Sequence, residues 1–395
     1  MIGPLLNAGD RVAIAGAGCA GCSLACEILA RCPGVHITLF DPEPSPQLNR
    51  TWCLWDTTPH RFRDAITTRW TEVVVRTPSD DIVFDASAYP YTCIHADDFY
   101  RVVDRATASS ACEINRGASV VSMLDNDDGV DLEITDAAGS TRHERFAAVF
   151  DGRPPDHAGT NSEPVLLQHF GGLEFEVTPG SIDPARATLM DFVVPQQDGM
   201  HFMYILPFST TRVLVESTFM SPSVARNIDY EANVLAYADR TLGIDTSRIV
   251  YRESGVLPMT MAPLGPKSTR RVWTIGTRAG VARASSGYAF DSIQRDTTRL
   301  VTAALAGQER PPPPRPKLLG TLDRVLISWL RDDPTAAPLV FGNLFRTAPA
   351  DRLIRFLSDT PRLLDYLAVM WAMPKTGVIR HALASPSAWP KRLPR

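Results

Sequence analysis

Arg11-Val12-Ala13-Ile14-Ala15-Gly16-Ala17-Gly18-Cys19-Ala20-Gly21 decides the fold. A short apolar strand, Arg11 to Ala15, runs into a G-x-G-x-x-G turn at Gly16, Gly18 and Gly21. Helical spacing follows from Ser23 to Arg31. A second apolar strand, Val35 to Phe40, ends at Asp41, 20 residues beyond Gly21. Glycines permit the tight turn and let backbone N–H groups approach a pyrophosphate at the helix N-terminus. A carboxylate at the end of the second strand is placed to accept hydrogen bonds from a ribose. The unit therefore predicts a Rossmann-type start that binds a dinucleotide. It does not by itself separate FAD from NAD.

Working outward, Ser119 to Leu124 and Val130 to Ile134 alternate around Asn126-Asp127-Asp128-Gly129, a hairpin signal. Phe146 to Phe150 reads as a further apolar strand, ending at Asp151-Gly152. Residues 163 to 260 carry β patterns, and Val272 to Gly276 reads as a strand returning to the nucleotide unit. From about residue 288 the pattern is helical. Pro311 to Pro314 with Pro316 marks a stiff linker. The expected organisation is α/β: a Rossmann-type domain from 1–160 and 260–305, an inserted β-sheet substrate domain at 161–259, and a helical C-terminal region at 306–395. That division suits the prior of about 150 residues per domain.

The 395 residues are 44% apolar and 21% charged, which excludes a disordered chain. Forty Lys and Arg against 44 Asp and Glu leave a net charge of −4, so no broad basic field invites nucleic acid. The strongest apolar run, Leu363 to Met373, is 11 residues, short of the roughly 20 a membrane span needs. MIGPLLNAGD has no basic stretch before its apolar patch and does not read as a signal peptide, so a cytoplasmic setting is expected. All seven cysteines precede residue 113; the odd, lopsided count argues against a disulfide framework. Cys19, Cys22 and Cys26 overlap the glycine turn and its helix, where small residues serve packing, so no metal site is expected.

Three later stretches carry chemistry. In Arg212 to Thr218, alternation puts Leu214, Glu216 and Thr218 on one strand face. An inward Glu216 would be a desolvated acid able to carry a proton; an outward one would be a solvated charge or the partner of Arg212. Spacing does not choose between them. Glu253-Ser254-Gly255-Val256-Leu257-Pro258 reads as an acid entering an apolar turn. Gly276-Thr277-Arg278-Ala279-Gly280 and Ala284-Ser285-Ser286-Gly287-Tyr288 are small, glycine-rich and poised to open a helix beside a flat ring, or are simply a capped helix start.

These motifs, in this order, resemble the lycopene β-cyclases, above all a bacterial branch. The resemblance rests on Arg50-Thr51-Trp52-Cys53-Leu54-Trp55, on YTCIHADDFYR from Tyr91 to Arg101, and on Gln168-His169-Phe170. It continues through Tyr204 to Thr218, Gly255 to Met259, Ala284 to Tyr288, and Arg352 to Leu357 with the helix after it. It implies a fold akin to flavin-dependent hydroxylases and reductases. It implies FAD, active in reduced form with NAD(P)H as reductant, held through Gly16, Gly18, Gly21, Asp41, Arg50, Gly276, Gly280, Ser286 and Gly287. It makes Glu216 the essential acid, with Glu253 a candidate for the proton relay or for a structural ion pair. Three positions depart from related patterns: Thr277 stands where many flavoproteins have aspartate, Ala284 where other branches have proline, and Ser217 where some have a second acid.

The implied substrate is a carotenoid hydrocarbon, lycopene, cyclised through a carbocation without net redox change. A flavin monooxygenase, a cyclase of another polyene or prenyl substrate, and a non-catalytic carrier are the competing readings. So insoluble a substrate comes from a bilayer. The last 22 residues hold five basic side chains (Lys375, Arg380, Lys391, Arg392, Arg395) and no acid, beside an apolar helix with Tyr366 and Trp371. Such a segment suits peripheral contact with the inner face of the cytoplasmic membrane, or is a packed helix with a solvated tail. The sequence identifies no protein partner and does not set the oligomeric state.

Overall fold

A computed structural model describes residues 4–384, except 109–110, 155–164, 197–198 and 226. The expected boundary near residue 160 and the basic residues Lys391, Arg392 and Arg395 lie outside the described residues.

The opening unit forms as its pattern predicts. Strand Arg11–Ala15 pairs in parallel with His36–Asp41 on one side and Ala148–Asp151 on the other. Cys112–Arg116 and Val272–Thr274 extend the sheet at its two edges, also in parallel. Helix Cys19–Arg31 makes the first crossover. The central strands are buried on both faces, which is why they read as apolar runs rather than alternating ones. The predicted hairpin is present: Gly129 pairs with Asn126, and Thr141–Phe146 completes a three-stranded antiparallel sheet. Phe146 closes that third strand rather than opening the next one, which starts at Ala148.

A seven-stranded sheet dominates the rest. Its order is Ile249–Thr260, Val165–Glu176, Arg212–Ser221, Met200–Ser209, Arg186–Asp191, Glu72–Thr77, Asp80–Asp85. The last two strands come from the stretch that the sequence reading placed wholly with the nucleotide unit. They join by parallel pairing of Glu72–Thr77 with Arg186–Asp191, a long-range contact that local patterning does not announce. A second correction concerns Glu253 to Pro258. This stretch is no turn but the middle of a 12-residue strand. It lies at the sheet edge, where Pro258 needs no ladder partner for its missing N–H.

Helices close the fold. Phe290–Leu305 packs on Cys19–Arg31, returning the chain to the nucleotide unit. The proline run does not swing free: Arg299 donates to the carbonyls of Pro313 and Pro314. Lys317–Asp332 and Ala337–Thr347 then lie over one face of the large sheet, while Tyr230–Tyr237 covers the other.

Candidate active site

Gly16 takes a left-handed φ of +103°, and a Cβ on Gly21 would sit 1.9 Å from the Gly16 carbonyl oxygen. Only glycine at both positions lets the turn close this tightly. Above Gly18 there is open space: a Cβ there would meet nothing within 4 Å. The Asp41 carboxylate accepts from the N–H of Ala17 at 2.7 Å and that of Glu43 at 3.0 Å, with Arg116 at 3.8 Å. The thiol of Cys22 and the hydroxyl of Tyr100 both donate to the Ala17 carbonyl. Cys22 and Cys26 are thus packing groups of the fingerprint, and all seven cysteines are free.

From this turn a cavity of about 1150 Å³ runs to the large sheet and under the C-terminal helices. Gly16, Gly18, Gly21, Asp41, Arg50, Gly276, Ser286 and Gly287 all line it. Thr277 does too, at the position where an aspartate is common. Gly280 does not. It ends the turn Gly276–Ala279 with φ +71°, and its carbonyl accepts from Arg315 at 3.1 Å, so its glycine serves the backbone.

Glu216 settles the open alternative. Arg212 pairs instead with Glu174, at 2.7 Å. Both faces of strand Arg212–Ser221 are covered, so Glu216 is 8% exposed and lines the cavity with Thr218 and Met220. In register, Glu253, Gly172, Glu216 and Tyr204 form one row across four strands. Gly172 lacks a side chain, and the two carboxyls meet over it: a Cβ there would lie 2.8 Å from Cγ of Glu216 and 3.3 Å from Cγ of Glu253. Burial first, then the charge of Glu253 and its hydrogen bond, push the Glu216 carboxyl well above the usual carboxylate range. Glu253 is not a cavity-lining residue. Its Oε2 accepts from Thr51 at 2.8 Å and from Tyr251 at 3.4 Å. It reaches the cavity through Glu216 and through the cavity-lining Thr51.

Beside this row, the hydroxyls of Tyr91 and Tyr204 are 2.7 Å apart, and the rings of Tyr91 and Tyr288 meet edge to face at 6.3 Å. Burial pushes both the Tyr91 and the Tyr204 phenols well up, so they stay neutral. Beyond them the cavity is walled by Leu322, Leu326, Phe341, Leu344, Met370 and Met373, an apolar arm between sheet and helices. The Ala284–Tyr288 turn is fixed to those helices by Arg283, which is fully buried. It pairs with Asp323 at 3.0 Å and Asp359 at 3.5 Å and lies over the Phe356 ring at 4.6 Å.

The family model described as lycopene cyclase protein matches residues 11–383. The chain belongs to the lycopene cyclase family. It is 29% identical over 374 residues to a lycopene beta-cyclase of Paracoccus sp., covering 89% of this chain and 87% of the relative. To a lycopene beta-cyclase of Pantoea ananas it is 27% identical, over 70% of each chain. Among solved structures it is similar to a geranylgeranyl bacteriochlorophyll reductase-like protein from Thermoplasma acidophilum. The TM-score is 0.66 at 10% identity, covering 97% of this chain and all of that one. HpxO from Klebsiella pneumoniae, solved with FAD, gives a TM-score of 0.62 at 13% identity, covering 92% of this chain and 99% of that one. The fold of this lycopene cyclase family member is thus that of FAD-dependent hydroxylases and reductases.

Within that fold, the structure brings Glu216, Ser286 and Gly287 to one cavity with the fingerprint, although up to 271 residues separate them (Gly16 to Gly287). Sequence reasoning missed Gly172, Thr51 and the phenols of Tyr91 and Tyr204 as members of the acid site. Their signal was faint: a Gly171-Gly172 pair inside an otherwise apolar strand, which often marks close approach by another group.

Proposed function

We propose that this chain is a lycopene β-cyclase that binds FAD at the glycine fingerprint and converts the end groups of lycopene to β-rings, by way of γ-carotene to β-carotene. The observation that carries the reading is the buried Glu216, in contact with Glu253 and facing a cavity junction. One arm of the cavity there is apolar and the other leads to the fingerprint. A hydrocarbon offers no heteroatom to recognise, so an apolar arm between sheet and helices is the right chemistry for it.

The fit to FAD rests on the cradle itself. Gly18 leaves open space where a side chain would stand, and Gly276 and Gly287 take left-handed conformations along the same wall. Bound there and kept reduced at the expense of NAD(P)H, FAD would supply negative charge close to the reacting end group. The protein's own steps follow from the acid. Neutral Glu216 protonates the terminal double bond of the polyene, leaving a tertiary cation. Ring closure moves the positive charge to a ring carbon, and a C–H next to it returns a proton to the Glu216 carboxylate, so mass and oxidation state are unchanged. Glu253, in contact with Glu216 and held by Thr51, is the route by which the carboxyl regains or sheds its proton. The faces of Tyr91, Tyr204 and Tyr288 attract positive charge nearby, and the apolar lining of the arm disfavours water that would capture the cation as an alcohol.

Expression in cells that accumulate lycopene, followed by pigment chromatography, tests the reading. β-Carotene or γ-carotene is the expected product, formed by the purified protein without oxygen when FAD is reduced. Oxygen-dependent hydroxylated product would turn the assignment to a monooxygenase.

Substrate delivery fits the same site. No helix among the described residues is long and apolar enough to cross a membrane. Yet helix Leu363–Ala372 exposes Leu363, Leu364, Leu367 and Trp371 outward, while Met370 and Met373 face the cavity. Lys375 donates to the carbonyls of Met370 and Trp371 and lies 4.9 Å from the Trp371 ring centroid. The one acid between residues 360 and 384, Asp365, is buried and paired with Arg355. An apolar stripe edged by an aromatic and a lysine suits an anionic bilayer surface, such as the inner face of the cytoplasmic membrane. Replacing Leu367 and Trp371 together by aspartate is expected to lower sedimentation with phosphatidylglycerol vesicles at least tenfold; unchanged sedimentation would remove this helix as the contact.

A further inference from the structure

We propose that Gly172 and Thr51 are positioning residues that make Glu216 and Glu253 a single pair sharing one proton. The inference rests on reading Glu216 as the acid of the site, and it assigns a purpose to Gly172, which does not line the cavity, and to Thr51, which lines it beside Arg50. The argument starts from register. Gly172 lies between Glu216 and Glu253 on adjacent strands, and all three side-chain positions point to one sheet face. Any side chain at 172 would fill the gap, since even a Cβ would come within 2.8 Å of Glu216 and 3.3 Å of Glu253. Glycine inside a strand interior costs stability relative to a packed residue. Here that position is what allows two acids to touch.

Thr51 supplies the asymmetry. Its hydroxyl donates to Glu253 from a different sheet, at 2.8 Å, and Tyr251 adds a longer contact at 3.4 Å. Donated hydrogen bonds favour an ionised acceptor, so the shared proton rests on the partner that faces the cavity. The other groups about the pair are Cys53 from the Thr51–Trp55 strand, Tyr204 on the neighbouring strand and the Thr218 hydroxyl beside Glu216, which works against the upward shift of that carboxyl, with the Arg50 guanidinium on the carbonyl of Ser254 beside Glu253. Two carboxyls in contact cannot both ionise readily, so the pair holds on to one proton. The arrangement thus favours the protonated form of the cavity-facing acid.

The test is an infrared titration of the purified FAD-loaded protein without substrate, following the protonated carboxyl stretch that Glu216→Gln removes. Its midpoint is expected to fall by at least one pH unit, a tenfold gain in acidity, in Glu253→Gln and in Gly172→Ala. Combining the two is expected to add little, because each removes the same contact. A midpoint that Gly172→Ala leaves unmoved, or moves equally with glutamine already at 253, would overturn the proposal. Should Gly172→Ala fail to fold, Thr51→Val carries the test: loss of its donor is expected to lower the midpoint, and an unchanged midpoint overturns the proposal equally. Because no turnover enters the measurement, failure of the cyclase reading would show separately, as wild-type protein with the expected titration and no cyclised product.

Discussion

Glu216→Gln is expected to reduce cyclised product by about 10²–10⁴-fold, the usual worth of a positioned proton donor, while flavin absorbance stays at the wild-type level. Glutamine has nearly the shape of glutamic acid and keeps the contact with Glu253, but it has no proton acidic enough for an alkene. The proposed cofactor cradle lies on other segments of the cavity, the Gly16–Gly21 turn and the wall at Gly276 and Gly287, so binding there is expected not to need this carboxyl. Retained activity in the glutamine variant would remove Glu216 from the chemistry. A second, opposite effect accompanies the loss. The folded-state pKa of Glu216 lies well above its unfolded value of 4.5. Across the window between the two, the folded protein binds more protons than the unfolded chain. The stability tied to this group is therefore complete below about pH 4.5 and declines as pH rises towards the folded-state value. Glutamine does not titrate. Denaturant midpoints compared at pH 5 and pH 8 are expected to fall less in the variant than in the wild type, which would mark the acid as a group kept for function at a cost to stability.

Arg283→Met is expected to destabilise the fold by about 3–5 kcal/mol, the usual consequence of removing one partner from a buried ion pair. Arg283 is 1% exposed and ties three segments together. Its guanidinium donates to Ser285 in its own turn, to Asp323 on helix Lys317–Asp332, and to the Phe356 carbonyl at the end of helix Ala350–Leu357. Without it, Asp323 keeps the hydroxyl of Ser285 as a hydrogen-bond donor at 2.7 Å. Asp359, in a left-handed conformation just beyond that helix, still has Arg315 at 3.4 Å. Lysine is a poor substitute because a single ammonium cannot span the fork that guanidinium fills. Urea unfolding of Arg283→Met, with the exposed Arg331→Met as control, reads the effect. A loss below about 1 kcal/mol, within reach of an ordinary surface substitution, would show that the cluster is not what fixes the cavity wall.

Much of the lining of this candidate site was legible in the sequence. Gly16, Gly18, Gly21 and Asp41 announce themselves because a nucleotide turn is a local object: strand, glycines, helix and acid fall within one short stretch, and each residue type follows from backbone geometry. Glu216 was visible as an acid in an apolar run, but its direction was not, since alternation names two faces without saying which is inside. Helix Tyr230–Tyr237 on one side and the C-terminal helices on the other bury both, and that decided the matter. Glu253 was misread as entering a turn because Gly255 and Pro258 are turn residues by composition; at a sheet edge they are tolerated in a strand. Gly280 was grouped with the cofactor because a glycine-rich stretch does not reveal which of its glycines serve a ligand and which serve the backbone.

The sequence alone determined the parallel nucleotide sheet, the β-rich centre and the helical end, because hydrophobic periodicity and turn chemistry act over a few residues. It also carried the family. Only the tertiary structure decided that residues 72–85 belong to the large sheet, that Arg283 is a buried tie, and that Glu216 meets Glu253 across Gly172. Each of these depends on register between strands or helices far apart in the chain, and that register is set by how whole faces pack, which no short window of sequence contains.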